Sequence, residues 1–271
     1  MPVAISVSSL IGRDSELSRL KSAIHRRESR LIWGPTGAGK TFLVKTAVEE
    51  LPRQENQSCI CWSGTATGRD LVQHMVGRLY EAGDSFVQKK VHRDEARGSS
   101  VRSWLIRQST VRLRGILFTA AEQGKYRFFF DHLPPPGPKL VRTMKEFMFH
   151  CKTPVYLTGE GFTQREIGYA WSLYWTDEYR IHLGPVTETA ARDLLETCIR
   201  RFGLEAMDLD GFREEMLQLS ERLPGAIVGM CELAADPRYH YGEQIKTKLV
   251  HVDYVMKLSA SRFAHPMNFQ Q

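Results

Sequence analysis

The segment Gly34-Pro35-Thr36-Gly37-Ala38-Gly39-Lys40-Thr41 constrains this chain more than any other. It fits G-x-x-x-x-G-K-[ST]. It follows the apolar run 31–33 and opens a stretch with helical spacing at Leu43, Ala47 and Leu51. In that setting the glycines let the backbone curl, so that successive N–H groups face one anion. The helix N-terminus adds a favourable dipole. Lys40 can reach the β- and γ-phosphate oxygens of a nucleotide, and Thr41 can offer its hydroxyl to Mg²⁺. A strand, a loop of this kind and a helix together are one unit of a parallel α/β sheet.

The rest of the chain agrees with such a sheet. Short apolar runs at 31–33, 58–62, 126–130, 154–157 and 179–183 alternate with helical patterns. The run at 126–130 is apolar and aromatic on both faces, as a central strand should be. One long helix is expected over 101–122 and another over 139–150. After Gly184-Pro185 the pattern changes to helices only. Thr187 can cap the first of them, Gly203 can stop it, and the last ends near 259. This predicts a core over 1–185 and a small helical lid over 186–271, with a tail at 260–271 that has no helical period. Trp171 and Trp175, with Tyr169 and Tyr174, are expected to pack between sheet and lid.

Composition closes off several classes. Of 271 residues, 42% are apolar and 25% charged, which is ordinary for a globular protein and excludes wholesale disorder. The five cysteines, Cys59, Cys61, Cys151, Cys198 and Cys231, are scattered without zinc-site spacing and read as reduced, buried thiols. No apolar run approaches the roughly 18–20 residues of a membrane helix. Residues 1–10 lack the basic start of a secretory signal. A cytoplasmic location with no membrane partner is the expectation.

A metal-side acid should stand at the end of a neighbouring apolar strand. Phe128-Phe129-Phe130-Asp131 meets that description, so Asp131 is expected to hold Mg²⁺ beside the phosphates, together with Thr41. The next residue is His132, where many ATPases place an acid that polarises water. Binding is therefore better supported than fast hydrolysis. Thr158, at the end of the run 154–157, could hydrogen-bond the γ-phosphate or the attacking water, or be an ordinary strand-end threonine. Glu160 is the nearest spare carboxylate.

Taken together, the loop, one intervening strand, the Asp131 strand, a polar-ended strand and a helical tail resemble the AAA+ and related STAND signalling ATPases. The resemblance implies a RecA-like sheet of order 5-1-4-3-2. Ile11-Gly12-Arg13-Asp14-Ser15-Glu16-Leu17 is similar to the GR-x-x-E-L segment that precedes the loop in origin-recognition, STAND and transposition-regulator ATPases. There it lines the adenine pocket, which implies nucleotide contacts from Ile11, Gly12 and Arg13. Leu223-Pro224-Gly225-Ala226-Ile227 resembles the G-L-P-L-A element of STAND lids and implies that Pro224 packs near the nucleotide. In this chain Arg222 replaces the leading glycine, and the lid arginine of the sensor-2 type is absent from its expected place. Arg180 resembles the position from which an AAA+ subunit offers an arginine finger to a neighbour, and is otherwise a solvated strand-edge arginine.

The net charge of +6 is local. Residues 85–127 hold ten Lys or Arg against three acids, a net +7. That is a plausible footprint for DNA or RNA, a docking site for an acidic protein, or a solvated surface; Arg102 and Arg112 fall off the face shared by Arg107 and Arg114. The leading expectation is an ATP/ADP- and Mg²⁺-binding switch that engages a macromolecular partner. An ATPase that forms a homo-oligomer on DNA and a signalling ATPase core are the alternatives. No lid arginine cluster supports a metabolic kinase.

Overall fold

The computed structural model describes residues 11–63, 68–94, 100–124, 126–132 and 135–263. Glu95, Arg97 and Lys125 of the basic segment and the tail beyond 263 lie outside the described residues. The chain forms two compact units. One comprises Glu16–Gly34 with Leu43–His182, the other Met1–Ser15, Pro35–Phe42 and Leu183–Gln271.

The first unit holds a five-stranded parallel sheet: β1 (Arg30–Gly34), β2 (Cys59–Ser63), β3 (Arg127–Asp131), β4 (Val155–Glu160) and β5 (Arg180–His182). Its order is β2-β3-β4-β1-β5, the expected one read from the other edge. Register places Gly34 opposite Glu160 and Ser63 opposite Asp131, so Gly34, Asp131 and Glu160 all stand at the carboxyl edge. Ligands of open α/β sheets bind at that edge. Every residue of β3 is buried, and Phe129 stacks on Tyr156 with centroids 4.5 Å apart.

Helices α1 (Asp14–His25), α2 (Lys40–Glu49) and α3 (Arg53–Gln57) lie between the lead-in segment and β2 in the sequence. Four helices then separate β2 from β3: α4 (Gly68–Glu81), α5 (Ser85–Asp94), α6 (Val101–Arg107) and α7 (Thr110–Gln123). The single helix expected over 101–122 is thus two. Gln108 is extended, and the Ser109 side chain accepts the Arg112 N–H to start α7 afresh. Arg69 closes the end of α6 by donating to the carbonyls of Ile106 (3.0 Å) and Gln108 (3.2 Å). Trp104 is buried in the core with Leu113, Leu117 and Phe128.

Helix α8 (Pro138–Phe149) precedes β4, and a short α9 (Gln164–Ile167) follows it. Of the four aromatics at 169–175, Tyr174 and the half-buried Trp171 pack within the sheet unit's own core. Tyr174 is fully buried and donates to the Val155 carbonyl (3.1 Å), and Trp171 packs edge-on against Trp33 (5.2 Å). Tyr169 and Trp175 are exposed.

The second unit carries α10 (Glu188–Phe202), α11 (Phe212–Leu219), α12 (Pro224–Ala234) and α13 (Thr247–Phe263). Their core includes Leu195, Met216, Ile227, Met230 and Val250. Thr187 caps α10 by accepting the Ala190 N–H, and Gly203 ends it at φ 69°. The expectation of helices only is corrected by a small hairpin, β6 (His240–Tyr241) with β7 (Gln244–Ile245), which Asp208 joins by a bridge to Gln244. Two-residue strands are too short to register as an alternating pattern. Helix α13 also runs past 259, into the stretch expected to be loose.

Candidate phosphate-binding site

β1 ends at Gly34, whose carbonyl accepts the Gly161 N–H at 3.2 Å. The chain then turns through Pro35, Thr36, Gly37, Ala38 and Gly39 before α2 starts at Lys40. Gly37 (φ 82°) and Gly39 (φ 91°) both lie in the left-handed region that disfavours a side chain. At Gly39 an added Cβ would stand in open space, with nothing described within 4 Å. Pro35 offers its carbonyl to Ala38 N–H (3.2 Å) and to Lys40 Nζ (2.8 Å). Lys40 thus folds back over its own loop. Thr36 and Thr41 are half-buried on either side of the turn.

The loop is gripped from two other parts of its own unit. Arg13 is buried, and its guanidinium donates to the carbonyls of Ala38 (3.3 Å) and Gly184. Gly12, at φ 73°, passes so close to α10 that a Cβ would come within 2.5 Å of Ala190 Cβ. Ile11 packs against the helical core. Arg13 is therefore a strut for the loop, a role that the adenine-pocket resemblance did not anticipate. On the other side Pro224 is the first residue of α12, and Gly225 N–H donates to the Gly37 carbonyl at 2.7 Å. A Cβ on Gly225 would stand 2.8 Å from Gly37 Cα. Gly225 was not singled out from sequence, yet a signal existed. Glycine in the first turn of a helix weakens it, so its presence there points to a close backbone approach.

In the sheet unit, Thr158 Oγ1 donates to Asp131 Oδ1 at 2.7 Å and accepts the His132 N–H at 3.1 Å. Both Asp131 and Thr158 are buried. His132 sits at φ 53°, and its Nε2 lies 3.5 Å from Asp131 Oδ2. The Thr158 hydroxyl thus holds one carboxylate oxygen, and the other lies toward the His132 ring. Thr158 orients Asp131 as a positioning residue. Thr158→Val should cost about 1–3 kcal/mol of stability, because it strips a partner from a buried carboxylate and a backbone N–H. Chemical denaturation would check this; a change within error would mean that the bond contributes little.

Arg180 is held within its own unit. Its side chain is 11% exposed, donates to Asp177 Oδ1 (2.9 Å) and lies over the Trp171 ring at 3.8 Å. It is therefore not the solvated strand-edge arginine that its sequence position suggests. Several charges of the basic segment are likewise spent internally. Arg112 pairs with Asp94 (2.5 Å), Arg114 with Glu146, and buried Arg127 with Glu55 (2.8 Å), the Ser58 hydroxyl and the Ile24 carbonyl.

The donor set suits a nucleotide and a hard cation. The loop combines a lysine, a helix start and backbone N–H groups. Within the loop's own unit Thr41 carries a hydroxyl oxygen, and within the sheet unit Asp131 carries a carboxylate; oxygen donors of these types are what Mg²⁺ takes alongside phosphates. Among the described residues no group of three or more His, Cys, Asp or Glu could hold a metal by itself.

A family profile described as the AAA ATPase domain matches residues 9–135. Among curated proteins none matches the sequence. Solved structures share the fold. A Walker-type ATPase of Pyrococcus abyssi aligns at TM-score 0.60 and 14% identity, over 95% of this chain and 76% of that one. A chain in the structure of Drosophila ORC bound to DNA aligns at TM-score 0.57 and 11% identity, over 95% of this chain and 63% of that one. No described helix is long and apolar enough to cross a membrane.

Proposed function

We propose that the chain is a P-loop ATPase of the AAA+ superfamily that acts as a cytoplasmic, ATP-driven switch with slow intrinsic hydrolysis, a reading supported by the AAA ATPase domain profile over residues 9–135. The observation that carries the reading is the bond from Gly225 N–H to the Gly37 carbonyl, which ties the phosphate loop to the first turn of α12. Any rearrangement of the loop around a triphosphate must move or break that bond, so the helical unit reports the state of the loop. A partner that distinguishes the two arrangements shifts the balance between them.

In this proposal Lys40 releases the Pro35 carbonyl and turns to the β- and γ-phosphates. The loop N–H groups hold the phosphates, and Ile11 to Arg13 and Pro224 border the nucleotide. Thr41 and Asp131 would hold Mg²⁺, which would supply neutralisation of charge on the phosphate oxygens. Thr158 keeps Asp131 in its rotamer. His132 gives no carboxylate beside Asp131 to draw a proton from water, and this is the reason for slow turnover.

Steady-state phosphate release should therefore stay below about 1 s⁻¹, the low end of ordinary enzyme rates. His132→Asp is the informative change, because aspartate tolerates the left-handed backbone at this position better than glutamate does. It should raise the rate. An unchanged rate would pass the role of base to another carboxylate, such as Glu160. Assembly on DNA through residues 85–127 with Arg180 as the trans finger is the less favoured reading. Arg112, Arg114, Arg127 and Arg180 already have partners in their own unit.

A further inference from the structure

Helix α8 bears an outward stripe that the nucleotide site does not use. Arg142, Lys145 and Phe149 recur at i, i+3 and i+7, so they share one face, and all three are exposed. Phe149 is 51% exposed, and Trp175, 58% exposed, lies parallel to it with ring centroids 5.9 Å apart and planes 18° apart. Tyr179 braces Trp175 edge-on at 5.7 Å. Exposed lysine at position 152 continues the basic surface just beyond the helix.

Two large rings left this open to water lose apolar burial, so their stacking calls for a reason beyond the fold. The nearby acids are largely answered. Glu146 pairs with Arg114 and, at 3.5 Å, with Arg142, while Asp177 pairs with Arg180. Glu178 is the remaining exposed acid beside Trp175. The balance stays positive around a flat aromatic face.

We propose that the Arg142–Lys145–Phe149 stripe with Trp175 is a binding surface for single-stranded nucleic acid. Phe149 and Trp175 would stack unpaired bases while Arg142 and Lys145 neutralise phosphates. Stacking on rings joined to a basic track is how proteins hold single strands without reading sequence. Duplexes keep their bases stacked on one another and cannot use the rings. The stripe shares no residue with the phosphate loop, and binding is expected not to need ATP.

The test uses the full chain and fluorescein-labelled oligo(dT) and oligo(rU) of about 15 nucleotides, at about 50 mM salt, read by anisotropy. Both strands should bind and quench tryptophan emission, and duplex of equal length should compete weakly. Phe149→Ala with Trp175→Ala should weaken binding about tenfold or more. Phe149→Tyr with Trp175→Phe keeps the rings and should retain affinity. Arg142→Gln with Lys145→Gln should flatten the slope of log K against log salt by about 1.4, at roughly 0.7 per phosphate contact. Lys89→Gln with Arg102→Gln, in the segment first suspected, should change little. Absent binding, equal competition by duplex, or affinity untouched by the ring and charge variants would each overturn the proposal. Lys40→Ala should bind the strands normally, which separates this surface from the nucleotide site.

Discussion

Lys40→Ala should lose about a hundredfold or more in affinity for ATP while keeping its fold. The reasoning runs through what Lys40 does in this structure. Its ammonium donates to the Pro35 carbonyl, a neutral acceptor that anionic phosphate oxygens outcompete. A charge-assisted hydrogen bond is worth about 1.5–3 kcal/mol, and the alanine variant loses both the bond and the cation beside a polyanion. Arg13 and Gly225 still grip the loop, so thermal stability should fall little. Isothermal titration with ATP and Mg²⁺ is the measurement. Wild-type affinity in the variant would remove the site assignment altogether, whatever else the loop does.

Gly225→Ala should cut deeper into stability and into the link between loop and helix. The new Cβ would sit 2.8 Å from Gly37 Cα and 3.0 Å from its carbonyl oxygen, and both are backbone atoms that cannot swing aside. Overpacking of this kind costs about 1–3 kcal/mol. The alanine would otherwise improve the helix by roughly 1 kcal/mol, so destabilisation would be a direct sign of the close approach. ATP affinity should fall as well, since the loop must shift to admit the methyl group. Gly115→Ala, in the exposed interior of α7 with nothing within 4 Å of the added Cβ, is the control and should stabilise slightly. If Gly225→Ala melts and binds ATP as the wild type does, α12 does not sense the loop.

The sheet order and the loop were legible because each rests on a strong local signal. The loop needs glycine at two left-handed positions and a lysine at a fixed offset. A buried parallel strand needs an unbroken apolar run, as at Phe128 to Phe130. Other features rest on contacts that spacing does not encode. The break between α6 and α7 falls at Gln108 and Ser109, while the apolar pattern from Trp104 to Leu113 carries on across it. The sequence sign is Ser109 itself, a residue type that favours the start of a helix. Arg180 looked like a surface charge because nothing local announces Trp171 lying under its guanidinium. The bonds of Arg13 depend on the carbonyls of Ala38 and Gly184, one of them far along the chain, and no local pattern announces them. Tyr169 and Trp175 looked like core by residue type alone, yet their exposure follows from a short irregular stretch after β4 that has no period to read.

The grip of Gly225 on Gly37 bears on how the chain comes to be folded at all. The phosphate loop leaves the ribosome early, yet one of its two anchors is made only when α12 has emerged. A fragment ending at His182 would contain every strand of the large sheet and still lack Gly184 and Gly225, the partners that fix Arg13 and the loop. Native contacts between residues so far apart in sequence form late, because loop-closure entropy must be overcome first. A nascent chain would therefore hold every strand of its sheet before the contacts from Gly184 and Gly225 that fix its loop could form.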